Sequence, residues 1–168
     1  MIVAAAARAR GLGHSFVGSV HLLMALCTAG DGAGMLLRSA SVTEQFVHDA
    51  AAVLCGVGTA SLPLPQGFTR EAREILRTAG GEAELLGTQQ VKPMHLLLAL
   101  TRRHDSTAVL VLRIAGVDPD ELFTMGLRVH PVLCKVQASF AHPLHSALLS
   151  GCLPLHQSLR GQWQSLPW

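Results

Sequence analysis

Leu12 to Leu26 reads LGHSFVGSVHLLMAL, and Leu86 to Leu100 reads LGTQQVKPMHLLLAL. The two stretches lie 74 residues apart and share eight of fifteen positions: Leu12/Leu86, Gly13/Gly87, Val17/Val91, His21/His95, Leu22/Leu96, Leu23/Leu97, Ala25/Ala99 and Leu26/Leu100. Beyond them the match continues with a one-residue shift, as Ala33/Ala108, Leu37/Leu112, Arg38/Arg113, Ala40/Ala115 and Val42/Val117. Similarity of that length at a fixed spacing marks a tandem supersecondary unit, with limits at 1–56 and 68–127.

Each copy is punctuated as short helices. In the second, Thr69 caps a helix whose apolar face is Ala72, Ile75, Leu76, Ala79 and Ala83, and Gly87 stops it. Pro93 fits the first position of the helix that follows. Asp105 or Ser106 caps a third, ended by Gly116, and Asp118, Pro119 and Glu121 supply the cap, N1 proline and N3 acid of a fourth. The first copy repeats this plan with Ser19 and Thr43 as caps. The intervening GVGTASLPLPQG, with two prolines and three glycines, has the composition of a connector over 57–67. The chain is therefore expected to be all-α, two tandem four-helix repeats with pseudo-twofold symmetry over 1–127. The leucine-rich LLMAL and LLLAL helices should form the centre of each bundle.

Composition supports a helical, globular chain. Apolar residues make up 49% and charged residues 14% of 168, and tyrosine is absent. A formal charge of +2 with scattered basic residues argues against nucleic acid as partner. Cys27, Cys55, Cys134 and Cys152 form no CxxC pair, and the arginines near the start break any signal peptide, so a cytoplasmic location is expected.

After Glu121 no acidic residue occurs, and 128–168 is expected to be a mostly irregular tail: either a partner-binding extension or the product of a frameshift. Residues 136–159 carry no charge, but Pro143, Pro154 and three histidines argue against a membrane span. His142, His145, Cys152 and His156 have zinc-ligand residue types, yet the surrounding prolines make no metal site the better expectation.

The pattern of an Ala-rich helix ending in Leu-Gly, then V-x-x-x-H-L-L-L-A-L, then a helix ending near Ala-Gly-Val, resembles the Clp repeat. In duplicate that repeat builds the N-terminal domain of Clp-family AAA+ unfoldases of the ClpA, ClpB and ClpC type. The resemblance covers about residues 2–125 and implies a non-catalytic module, without cofactor, that recruits unfolded substrates or adaptor proteins to a Clp-type unfoldase or peptidase. An accessory subunit docking on the Clp peptidase ring is the alternative.

Three departures from the family qualify this. Thr-Glu commonly precedes the signature histidine, whereas this chain has Ser19-Val20 before His21 and Pro93-Met94 before His95. In the ClpC branch those glutamates help to hold phosphoarginine, so reading of that mark is not expected here. Aligning Ile2 with Leu76 places the equivalent of 68–73 before Met1, about one and a half helical turns, which should uncover part of the first repeat's core. No G-x-x-x-x-G-K-[ST] occurs, which leaves a fragment and a stand-alone protein both open.

Candidate functional residues follow from the repeat. Gly13, Val17, His21, Gly87, Val91 and His95 are read as structural signature positions, with each histidine buttressing the turn before its helix. Arg38 and Arg113 are the candidate partner contacts. No serine or cysteine stands at a nucleophile elbow, so no catalytic residue is assigned.

Overall fold

The computed structural model describes residues 1–59 and 65–130. The tail from 131 on, with its candidate zinc residues and its uncharged run, lies outside them. The described residues form eight helices: α1 Ile2–Gly11, α2 Ser19–Cys27, α3 Gly32–Ser39, α4 Glu44–Cys55, α5 Arg70–Leu85, α6 Pro93–Thr101, α7 Thr107–Ile114 and α8 Pro119–Val129. Helices α1–α4 and α5–α8 are the two repeats. Among the described residues no single helix is long and apolar enough to cross a membrane.

All nine residues of α2 are buried, and in α6 only Pro93 is not. Leu22, Leu23, Leu26, Leu97, Leu98 and Leu100 are each fully enclosed, worth about 1.5–3 kcal/mol apiece in transfer from water. Alanines at Ala5 and Ala9 of α1, and at Ala72 and Ala79 of α5, let the outer helices approach these central ones.

The repeats do not close two separate bundles, as the leucine pattern alone suggests. Helices α2 and α6 touch each other, α2 also packs on α7 and α3 on α6, and α3 meets α8 as α4 meets α7. The result is one hydrophobic cluster running from Ala5 to Leu122. Each repeat has two apolar faces, and among the described residues the second is covered by the other repeat.

Capping follows the expected chemistry at most ends. Thr43 Oγ1 accepts from the Phe46 N–H, Thr69 Oγ1 from Ala72, and Asp118 Oδ1 from Asp120. Ser106, not Asp105, caps α7, its Oγ accepting from the Val109 N–H at 3.2 Å. Ser19 is a correction. It occupies the first helical position, after the N-cap Gly18, and its hydroxyl serves the other repeat by accepting from the Ala108 N–H at 3.2 Å. A sequence reading sees a capping residue there but not that the free amide it satisfies is 89 residues away.

α1 has 10 residues where α5 has 16, and Ile2 and Val3 at its start are exposed. Glu82, buried on α5, is held by Arg102, the C-cap of α6, at 3.0 Å, and that guanidinium lies 4.8 Å from the Phe123 ring of α8. These contacts tie three helices of the second repeat together.

Candidate functional site

The signature histidines stand at the third position of α2 and of α6. His21 Nδ1 accepts the Gly18 N–H at 2.9 Å, and His95 Nδ1 accepts the Lys92 N–H at 3.0 Å. Each ring thus reaches back to the N-cap amide, as the Glu or Gln of a capping box does. The geometry suits an aromatic acceptor only when that nitrogen is unprotonated.

The second ring nitrogen is also used, and differently in each repeat. His21 Nε2 lies 2.9 Å from His14 Nδ1, whose Nε2 in turn lies 2.9 Å from the Gly56 carbonyl. Neutral tautomers satisfy this chain throughout: His21 Nε2–H donates to His14, and His14 Nε2–H donates to Gly56. The second repeat has Thr88 where the first has His14. There His95 Nε2 meets His130 Nε2 at 2.9 Å, with Thr88 Oγ1 at 3.4 Å. His130 follows α8, so the end of the second repeat is fastened to the start of its central helix.

Burial sets the charge state of His21, His95 and His130. Desolvation first, and the neighbouring His14 second, lower the His21 pKa to about 4. Desolvation followed by His130 and Lys92 lowers His95, and desolvation followed by Lys92 lowers His130. At neutral pH these three imidazoles act as neutral hydrogen-bonding struts. Neither Ser19 nor Cys27 on α2 is placed for activation by His21: Ser19 Oγ is engaged with Ala108, and Cys27 is buried with its pKa raised to about 12 by desolvation and Glu44.

The other signature positions diverge. Gly13 (φ +67°) and Gly87 (φ +65°) both turn the chain through the left-handed region. A side chain on Gly13 would overlap the Gly58 carbonyl, whereas Gly87 has open space. Val17 is 2% exposed and joins Phe68 in a short parallel bridge, with Val17 N–H to Gly67 O at 2.8 Å and Thr69 N–H to Val17 O at 3.0 Å. Val91 is 55% exposed. The bridge draws the start of α5 against the turn before α2.

Arg38 and Arg113, equivalent in sequence, have different surroundings. Arg38 Nη1 donates to the Cys27 and Ala29 carbonyls at 3.0 and 3.1 Å, satisfying acceptors at the end of α2. Arg113 is exposed and makes no hydrogen bond or ion pair with a described residue. Arg38→Ala is accordingly expected to lower stability by about 1 kcal/mol and Arg113→Ala by less than about 0.5 kcal/mol, read from urea midpoints. Equal effects would contradict this division.

A cleft of about 570 Å³ opens where the repeats meet. Its walls come from the Gly13–His21 turn, from Cys55 and Gly58 after α4, from Thr69 and Glu71 at the start of α5, and from Thr107 of α7. Val20, at the family's acidic position, lines it but is itself buried. Met94, the equivalent in the second repeat, is buried as well. Phe16 stands beside the cleft, 46% exposed. Sequence reasoning did not single out His14, Glu71 or His130. The Leu-Gly-His start of the first copy was a signal for His14; Glu71 and His130 reach their places only through tertiary packing.

Comparison with known proteins agrees with this architecture. Residues 67–126, the span of the second repeat, match the family described as Clp repeat (R) N-terminal domain. Over 130 residues, 77% of the chain, identity is 32% to the chloroplastic chaperone protein ClpC1 of Oryza sativa subsp. japonica and likewise to the chloroplastic chaperone protein ClpC of Pisum sativum. The chain spans 14% of the length of either relative. Among solved structures, the N-terminal domain of the caseinolytic protease associated chaperone ClpD from Arabidopsis thaliana shares the fold, with a TM-score of 0.63 and 22% identity over 75% of this chain and 89% of that one.

Proposed function

We propose that this chain, which carries a Clp repeat N-terminal domain, works as a non-catalytic recruitment module that delivers unfolded clients or adaptor-bound proteins to a Clp-type unfoldase. The observation that carries the reading is the way the signature histidines are used. Nδ1 of His21 and of His95 is spent on bracing a helix start and Nε2 on pairing with a second histidine, which gives both rings a structural use, while the surface between the repeats stays concave and open. Binding without chemistry is what such a surface offers. Val20 and Met94 supply no carboxylate, so a client marked by phosphoarginine is not the expected one.

A second reading, docking on the Clp peptidase ring as an accessory subunit, is favoured by one feature. Val53 and Leu54 of α4 and Ile114 of α7 are exposed side by side around an apolar groove. Copurification with the tagged full-length chain from its own cell extract separates the two. Recovery of unfoldase subunits or adaptors supports recruitment, recovery of peptidase without unfoldase supports docking, and recovery of neither with a folded chain removes both.

A further inference from the structure

We propose that the cleft between the repeats takes a cationic side chain of an extended client segment, with Glu71 as its counter-ion; this deepens the recruitment reading and rests on it. Among the described residues Glu71 is the only Asp, Glu, Lys or Arg in the cleft wall. Its Oε1 is buried with no hydrogen-bond partner, and the carboxylate makes no ion pair with a described residue. A carboxylate oxygen removed from water without a partner is costly, and nearly all such groups in folded proteins are satisfied by something.

Among the described residues, Arg70 and Arg103 are committed elsewhere. Arg70, its neighbour, reaches to Glu74 Oε1 at 3.0 Å, and Arg103 is shared between Glu74 and Asp105. His21 in the wall does not substitute, because it is held neutral by its burial and by the Gly18 amide bonded to Nδ1.

The remainder of the cleft suits a guanidinium or ammonium group on an aliphatic stem. Thr69, Thr107 and Ser15 bring hydroxyl oxygens, which accept hydrogen bonds from such a donor, and Phe16 offers an exposed ring face at the side. A volume of about 570 Å³ accommodates one long side chain and the backbone on either side of it. An anionic group would meet the Glu71 carboxylate with no arginine or lysine among the described residues of the wall to offset it.

The test uses fluorescein-labelled nonapeptides of Ala, Gly and Ser with a central arginine, lysine or citrulline, citrulline being the neutral counterpart of arginine. Anisotropy is read on titration with the full chain at low salt, with unfolded casein titrated in parallel. The arginine or lysine peptide is expected to bind roughly tenfold more tightly than the citrulline peptide, and Glu71→Gln to abolish that difference without weakening the citrulline peptide. Phe16→Ser, at an exposed position, is expected to weaken the cationic peptides and serves as the second variant if Glu71→Gln does not fold. Equal binding of all three peptides to the folded chain, or a preference that survives Glu71→Gln, overturns the proposal. If casein still binds in that case, recruitment stands and only the cleft assignment falls; if casein fails too, the recruitment reading falls with it.

Discussion

Replacing Gly13 by alanine is expected to lower the unfolding free energy by about 3 kcal/mol or more, against about 1 kcal/mol for the equivalent Gly87→Ala. Both residues have positive φ, so each alanine meets the same left-handed strain. Only at Gly13 does the new methyl also run into backbone, the Gly58 carbonyl. Backbone cannot rotate away as a side chain does. Gly58 is held there by donating its N–H to the Leu12 carbonyl at 2.8 Å, and beside it His14 is bonded to the Gly56 carbonyl at 2.9 Å. Displacing one partner therefore disturbs the whole turn before α2. Urea denaturation of the two variants measures the difference directly, and equal losses would show that the Gly13–Gly58 approach does not matter to stability.

Acidification is the second large effect. A histidine whose folded pKa lies below its unfolded value binds more protons when unfolded, so its stabilising contribution is complete above the unfolded pKa and is lost as pH falls toward the folded one. For His21 that window runs from 6.5 down to about 4. At 1.36 kcal/mol per unit the loss approaches about 3 kcal/mol from this residue alone, and His95 and His130 shift in the same direction. The structural cause is visible in the hydrogen bonds: a proton on His21 Nδ1 would face the Gly18 N–H donor. Thermal unfolding between pH 7 and pH 4 should show midpoints falling steeply, and His21→Gln should flatten the curve while lowering its plateau. A flat profile for the unaltered chain would contradict the buried neutral pairs.

Helices, order and symmetry were legible in the sequence because they depend on local rules. Thr43, Thr69 and Asp118 announce helix starts, Gly13 and Gly87 announce stops, and the leucine runs announce burial. What local rules do not carry is which partner a side chain finds. Ser19 has the type of a cap, but the amide it satisfies belongs to α7 of the other repeat. Arg38 and Arg113 occupy matching positions, yet only Arg38 has helix-end carbonyls within reach.

The same limit applied to the site. His21 and His95 stood out through repetition, whereas their partners did not, because the second repeat replaces His14 by Thr88 and recruits His130 from the far end of α8. Glu71 reads as an ordinary first-turn acid favourable to the α5 dipole. It becomes a cleft residue only because the bridge between Val17 and Phe68 folds the start of α5 against the first repeat.

The proposed function, that this chain binds proteins and performs no chemistry on them, is tested most directly by titrating fluorescein-labelled unfolded casein with the folded full-length chain in the absence of nucleotide. Saturable binding at about micromolar concentration, with the casein recovered intact, is the predicted result. No change in anisotropy up to about 100 µM chain, or casein recovered cleaved, would contradict it.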